Sequence, residues 1–454
     1  MDSCTVEQLE RYSNQLAVAV KGLRDRLGQS DVADVNSKSV TDATKAKASI
    51  LASVEGIRGL LDGPDEFLQR LTIQVESLAC LKWLAEFQIL ECIPQEGSLP
   101  IGDLSDLAGV PEAQLRRIIR LTGSAGFLQE TKPNFVAHTT MSAQFLASQS
   151  LSDAIVFITA TATPSALQMA DATRLASTST HRDATRKNAT AYDLALHPTR
   201  PFRAACQEGS KLGRQWQAFL AHAARSHSED ELVDIFSRLN WSSLGNACIV
   251  EASRRLKQAK PAKPAPIVGA RSISMARALA RTFPNLYFLV QMERTDTLMQ
   301  QDGDKDLHNQ SGSDSDNRNS GRIKVAFHEA GMPQPVTGAA VYILHLPPAV
   351  ELARAELFRC LAPLRASGGI VLALTARLLP EPGSLPDPRI ETLARARDLT
   401  MLQLADVGEM EMTELRQIVE MVTDEAGQLV VANELRSHNG LILALALKYV
   451  QYEW

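Results

Sequence analysis

One glycine stands at a turn where a nucleotide-binding chain places several. The stretch PIVGARSISMARALARTFPNLYFLVQMER, Pro266 to Arg294, predicts a buried strand over Pro266–Val268, a turn at Gly269, a helix, and a second strand over Tyr287–Gln291. Glycines in such a turn let backbone N–H groups come close to a ligand. Here only Gly269 is present. Other chemistries find less support. Neither GxSxG nor HExxH occurs, and the 9 histidines show no ligand spacing. The 6 cysteines, Cys4, Cys80, Cys92, Cys206, Cys248 and Cys360, form no zinc-like pattern, so we read them as reduced and mostly buried.

The elements that would position a site on this turn alternate along the second half of the chain. Further strands are predicted at Ile323–Phe327, Ala340–His345 and Gly369–Thr375, with helical patterns between most of them, which implies a doubly wound parallel sheet. The C-terminal QLVVANELRSHNGLILALALKYV is two apolar runs joined through Asn439-Gly440, a hairpin signal. Residues 299–322 are almost devoid of apolar side chains and predict a disordered surface insertion.

The first half reads as helical. Leu9, Leu16, Val20, Leu23 and Leu27 recur at helical spacing, and the polar stretch GQSDVADVNSKSVTDATKAK after them reads as linker. A second helical pattern begins near Ala46. GPDEF then breaks it and starts another helix, with Pro64 early and acids in its first turn. Further on, Leu104–Ala108 predicts a short helix, Gly109 a turn, and Pro111 the start of a helix whose apolar face is Leu115, Ile118, Ile119 and Leu121. GFLQE and FVAHT flank the turn-forming TKPN, which makes the whole a winged helix. Arg116, Arg117 and Arg120 could grip DNA, but three arginines among acidic flanks favour dimerisation. The expected organisation is a helical arm with polar linker over 1–65, a winged-helix dimerisation domain over 66–150, connecting helices over 151–245, and a Rossmann-like domain over 246–454. The fold class is thus mainly α in the first half and α/β in the second.

With 454 residues, 45% of them hydrophobic, the chain can fill two or three cores. A net charge of −5 disfavours a broad nucleic-acid surface. The basic, proline-containing RRLKQAKPAKPAP, from Arg254 to Pro266, reads as a solvated loop sooner than a nuclear-localisation patch. The polar, acidic N-terminus carries no secretory signal, and LILALALKYV is short of the roughly 20 residues of a membrane span. An intracellular protein without a membrane segment is expected.

Several segments carry a resemblance. ALARTFPNLYFLVQ, MPQPVTGAAVYIL, CLAPL, LLPEPG and RARDLTMLQL are similar to segments of plant and fungal O-methyltransferases that dimerise through an N-terminal winged helix. GPDEF, GDLSDLAGVPEAQLRRIIR and VAHT resemble, more narrowly, the methyltransferase-like transcriptional co-activators of fungal aromatic-polyketide clusters. The resemblance covers roughly Glu66 to Trp454 and implies a class I methyltransferase sheet closed by the antiparallel hairpin. Active members carry GGGxG after the first strand, to admit S-adenosylmethionine. Counting back from Leu279-Ala280, the matching residues are Gly269-Ala270-Arg271-Ser272-Ile273, where Ile273 adds bulk and Arg271 a cation beside a cationic ligand. The acid that would hold the ribose is replaced by Met292, with Glu293 adjacent, and Glu329 matches an acid that could reach the adenine. The catalytic HDW is absent. His345, which we read first as a structural histidine at the end of its strand, is the remaining candidate base, and Glu391, read first as a helix-face carboxylate, is the candidate acid to orient it. The resemblance therefore implies a catalytically degenerate co-activator, with no cofactor expected. It would be a homodimer in nucleus and cytoplasm that binds a pathway-specific transcription factor and makes no direct DNA contact. The alternative is an S-adenosylmethionine-dependent O-methyltransferase of a phenolic polyketide intermediate.

Overall fold

The structure, a computed structural model, describes every residue except 1–2, 28–36, 179–188, 207–209, 224–231, 233–234, 254–269, 294–320, 329–331, 348–349, 376–377, 386, 438–439, 441 and 453–454. The predicted insertion thus falls almost wholly outside the described residues. Contacts divide the chain into two compact units, Met1–Ala160 with Pro386–Thr392, and Thr161–Leu385 with Leu393–Trp454.

In the first unit, helices α1 (Ser3–Leu27) and α2 (Ser37–Leu61) pack together, with the Tyr12 ring so close to Gly56 that a Cβ there would come within 2.6 Å of it. Helix α2 begins at Ser37, so half of the stretch read as linker is helical. Its Ala and Lys residues favour helix strongly enough to extend the turn-prone Ser and Thr around them. Gly63 caps α3 (Pro64–Glu86), where the Glu66 carboxylate accepts from the Gly63 N–H at 3.0 Å and Pro64 occupies the first turn. Short α4 (Ile89–Cys92) leads to β1 (Leu99–Pro100), α5 (Ile101–Ala108) and α6 (Glu112–Ser124). Between the last two, Gly109 takes φ +64° and the Ser105 hydroxyl donates to the Val110 carbonyl at 2.6 Å. Strands β2 (Leu128–Lys132) and β3 (Phe135–His138) form an antiparallel hairpin, and β1 pairs with β3. Leu84, Ile89, Ile101, Leu104, Leu115, Ile119, Leu128 and Val136 make the core between these pieces.

The second unit is built on seven strands. They are β4 (Cys248–Ser253), β5 (Tyr287–Glu293), β6 (Ile323–His328), β7 (Val341–His345), β8 (Ile370–Thr375), and, after the two-residue β9 (Leu378–Leu379) and β10 (Met410–Glu411), β11 (Gly427–Arg436) and β12 (Leu443–Gln451). Their order is β11-β12-β8-β7-β4-β5-β6. All neighbours are parallel except those of β12, which runs antiparallel to both β8 and β11. Side chains alternate between two cores. Ile249, Phe288, Val341 and Ile343 meet Trp241 and the Met275 and Leu279 of a helix over Ala270–Thr282. Val250, Tyr342, Leu344 and Val371 meet Leu357, Leu364, Leu415 and Ile418 on the other face. A sheet buried on both faces needs apolar residues at successive positions, and VYIL in β7 supplies them. Beyond Gly440, at φ +74°, β12 returns along the sheet.

The strand expected at Pro266–Val268 lies outside the described residues, and the central strand is instead β4. CIVEAS is six residues long and carries an acid, so it lacks the continuous apolar run of its neighbours. The next helix starts at Ala270, which puts Arg271 and Ile273 in its first turn and not in the connection that precedes it.

Candidate functional site

Strand β4 is where the sheet order reverses, since β5 and β6 extend to one side of it and β7 and β8 to the other. The crevice at the carboxyl end of such a switch point is the ligand site of open α/β sheets. The ionisable residue of β4 nearest that end is the buried Glu251, two positions before the strand's last residue, Ser253. It pairs in register with Val290 of β5 and Ile343 of β7, and the parallel pairing brings His345, two positions beyond Ile343, diagonally across from it. His345 Nε2 lies 3.1 Å from Glu251 Oε1. The other carboxylate oxygen, Oε2, is buried with no hydrogen-bond partner. Glu251 is 1% exposed and the His345 side chain 35% exposed, so the imidazole is the part of the pair that meets solvent.

Burial pushes the Glu251 carboxyl above its ordinary range, and the His345 hydrogen bond and charge oppose that shift. A raised pKa in the folded state means the folded protein binds more protons than the unfolded chain over that range, so this group's contribution to stability is lost as pH rises through it. Replacing Glu251 with Gln removes the titration. The variant is expected to gain stability relative to the parent as pH rises from about 4 towards neutrality, with little difference in acid. Urea denaturation across a pH series checks this, and a pH-independent difference would sink the assignment.

Of the other residues singled out in the sequence, Gly269 and Glu329 lie outside the described residues. Met292 and Glu293 close β5, in register with Phe327 and His328 of β6. Glu391 stands in the first turn of α-helix Pro388–Ala405, in a segment grouped with the N-terminal unit. The carboxylate that meets His345 is Glu251, a residue sequence reasoning passed over. Its signal was an acid closing a short run with Ile249 and Val250.

This pair can hold a proton at the imidazole and accept one further hydrogen bond at Oε2. The connection after β4 does not have the composition of a close-approach nucleotide turn. Residues 254–269 carry Arg254, Arg255, Lys257, Lys260 and Lys263, no acid, and one glycine, a composition that opposes close approach of a cationic sulfonium. No group of three or more metal-ligating side chains occurs among the described residues. On α6, Arg120 Nε donates to Glu130 Oε2 of β2 at 3.1 Å and Arg116 pairs with Glu112. The Arg120 hydrogen bond, aided by the Asn134 backbone N–H, holds the Glu130 carboxyl below its ordinary range.

The seven-stranded order with its reversed β12 defines a class I methyltransferase fold. The structure of the mitomycin 7-O-methyltransferase MmcR superposes with TM-score 0.54 at 16% identity over 85% of this chain and 98% of that one. LepI in complex with SAM gives 0.59 at 16% identity over 97% and 100%. The N-terminal domain described for the trypacidin cluster transcriptional coactivator tpcD matches residues 6–62. The notoamide biosynthesis cluster transcriptional coactivator notR of Aspergillus sp. (strain MF297-2) is 46% identical over 98% of both chains. The chain belongs to the family of transcriptional coactivators of fungal secondary-metabolite clusters.

Proposed function

We propose that this protein is a transcriptional coactivator of a fungal aromatic-polyketide gene cluster, acting through a pathway-specific transcription factor without S-adenosylmethionine and without direct DNA contact. The observation that carries this reading is the likeness to notR along 98% of both chains, which includes the N-terminal helices that the tpcD domain matches. Three features support it. The carboxylate at the switch point is engaged by His345. The connection after β4 is basic and holds one glycine. Arg116 and Arg120 of the helix-turn-helix are paired with acids, which lowers their availability for phosphates. The protein works as a homodimer and is found in nucleus and cytoplasm.

Deleting the gene in its host is expected to lower transcripts of the whole cluster together, measured by quantitative RNA analysis, and loss of product with unchanged transcripts would reject the reading. The alternative, an S-adenosylmethionine-dependent O-methyltransferase of a phenolic polyketide intermediate, draws on the unpartnered Glu251 Oε2 and on the SAM-bound LepI neighbour. Calorimetry separates the two. No heat of binding is expected with S-adenosylmethionine at micromolar concentrations, whereas a Kd near 1 μM, about −8 kcal/mol, would establish the alternative.

A further inference from the structure

The Glu251–His345 pair leaves one of its own hydrogen-bonding positions unfilled. The proton that the two side chains share lies between Oε1 and Nε2, 3.1 Å apart, whichever group carries it. Oε2 is therefore an acceptor in both forms. It is buried with no hydrogen-bond partner within the protein, and an orphaned carboxylate oxygen in a native interior calls for an explanation.

The possible partners make different demands. A lone buried water is held by about three hydrogen bonds, while the residues in register with Glu251 are Val290 and Ile343. Both are fully buried in the apolar core on that face and offer a water no side-chain partner. A metal ion needs further ligands, and no group of three or more metal-ligating side chains occurs among the described residues. An ammonium or sulfonium would stand beside an imidazole that shares a proton, and after β4 the chain runs into residues 254–269, which are basic and hold no acid. A donor without charge meets none of these objections. A hydroxyl supplies one O–H, and the carbon body that carries it needs no second polar partner. His345 closes β7 and its side chain is 35% exposed, so the approach to the pair is from the carboxyl end of that strand.

We propose that Glu251 Oε2 accepts a hydrogen bond from the hydroxyl group of an uncharged organic molecule, an effector bound beside His345; the proposal rests on the cofactor-free reading above and gives the retained pair a ligand. An O–H donating to a carboxylate makes a short, strong hydrogen bond, so the hydroxyl dominates recognition and the rest of the molecule fills space.

The test compares phenol with anisole, which differ by that one donor, in ligand-observed NMR titrations of the full chain and of Glu251→Met, with circular dichroism as the fold control. The parent is expected to bind phenol at least about 10-fold more tightly than anisole, and Glu251→Met to lose the preference with its spectrum unchanged. Glu251→Gln, which keeps the shape and removes the charge, is the second variant and should retain only part of the preference. Equal affinities in the parent, or no binding of phenol, overturn the proposal without recourse to a variant. A preference for phenol that persists in both variants places the hydroxyl elsewhere and also overturns it. In each of these cases the coactivator reading stands. Release of bound phenol by micromolar S-adenosylmethionine overturns the cofactor-free reading instead, because the cofactor then holds the site.

Discussion

Replacing Arg397 with methionine is expected to destabilise the protein by about 3–5 kcal/mol, the cost of leaving a buried carboxylate without its cation. Arg397, on the helix Pro388–Ala405, donates through its Nε and a terminal nitrogen to the two oxygens of Glu409, each at 2.6 Å. Both side chains are 2% exposed. The pair holds the turn that reverses the chain into β10, and the Glu409 N–H adds a hydrogen bond to Asp398 Oδ1 at 2.6 Å. The forked geometry is one that lysine cannot reproduce, so Arg397→Lys should recover only part of the loss. The double replacement Arg397→Met with Glu409→Leu removes both charges and is expected to stand well above the single variant in urea denaturation. A single-variant cost below about 1 kcal/mol, typical of an exposed pair, would show that water reaches the site.

The parts of the fold legible in the sequence are those governed by local chemistry. β7 and β8 are apolar runs because strands covered on both faces need apolar side chains at successive positions. Gly109 and Pro111 mark their turn because one supplies a positive φ and the other starts a helix. β4 was missed for the opposite reason. Glu251 is a buried acid within the strand, and it interrupts the apolar pattern by which strands are recognised. Its partner was beyond local reading altogether, since the two residues are 94 positions apart and meet only through the parallel pairing of β4 with β7. An exposed apolar face on α3 was hidden by its own regularity. FLQRLTIQVESL reads as an apolar helix whichever neighbour covers it, and only the structure separates the face that Cys80 and Leu84 bury from the face of Leu68 and Val75.

Replacing Tyr342 with alanine is expected to cost about 3–5 kcal/mol, in line with removing a large aromatic side chain from a core. Tyr342 is fully buried on β7, among Val371, Leu357, Leu364 and Leu415. Its hydroxyl donates to the Val336 carbonyl at 2.8 Å, and burial pushes the phenol's pKa up, which keeps the proton available for donation. The segment Met332–Ala339 makes neither helix nor strand, so its backbone polar groups depend on such partners. A second tie comes from Gln334, which exchanges two hydrogen bonds of 2.8 Å with Gln291 of β5, both amides being buried. Tyr342→Phe separates the two contributions of the ring and the hydroxyl. It keeps the packing and leaves the Val336 carbonyl without its donor, at a cost of about 1–3 kcal/mol. Amide hydrogen exchange gives the sharper reading. Tyr342→Phe should speed exchange within Met332–Ala339 while the β7–β8 ladder keeps its protection, because the lost bond anchors the segment and not the sheet. Equal acceleration in both would mean that the hydroxyl supports the core as a whole.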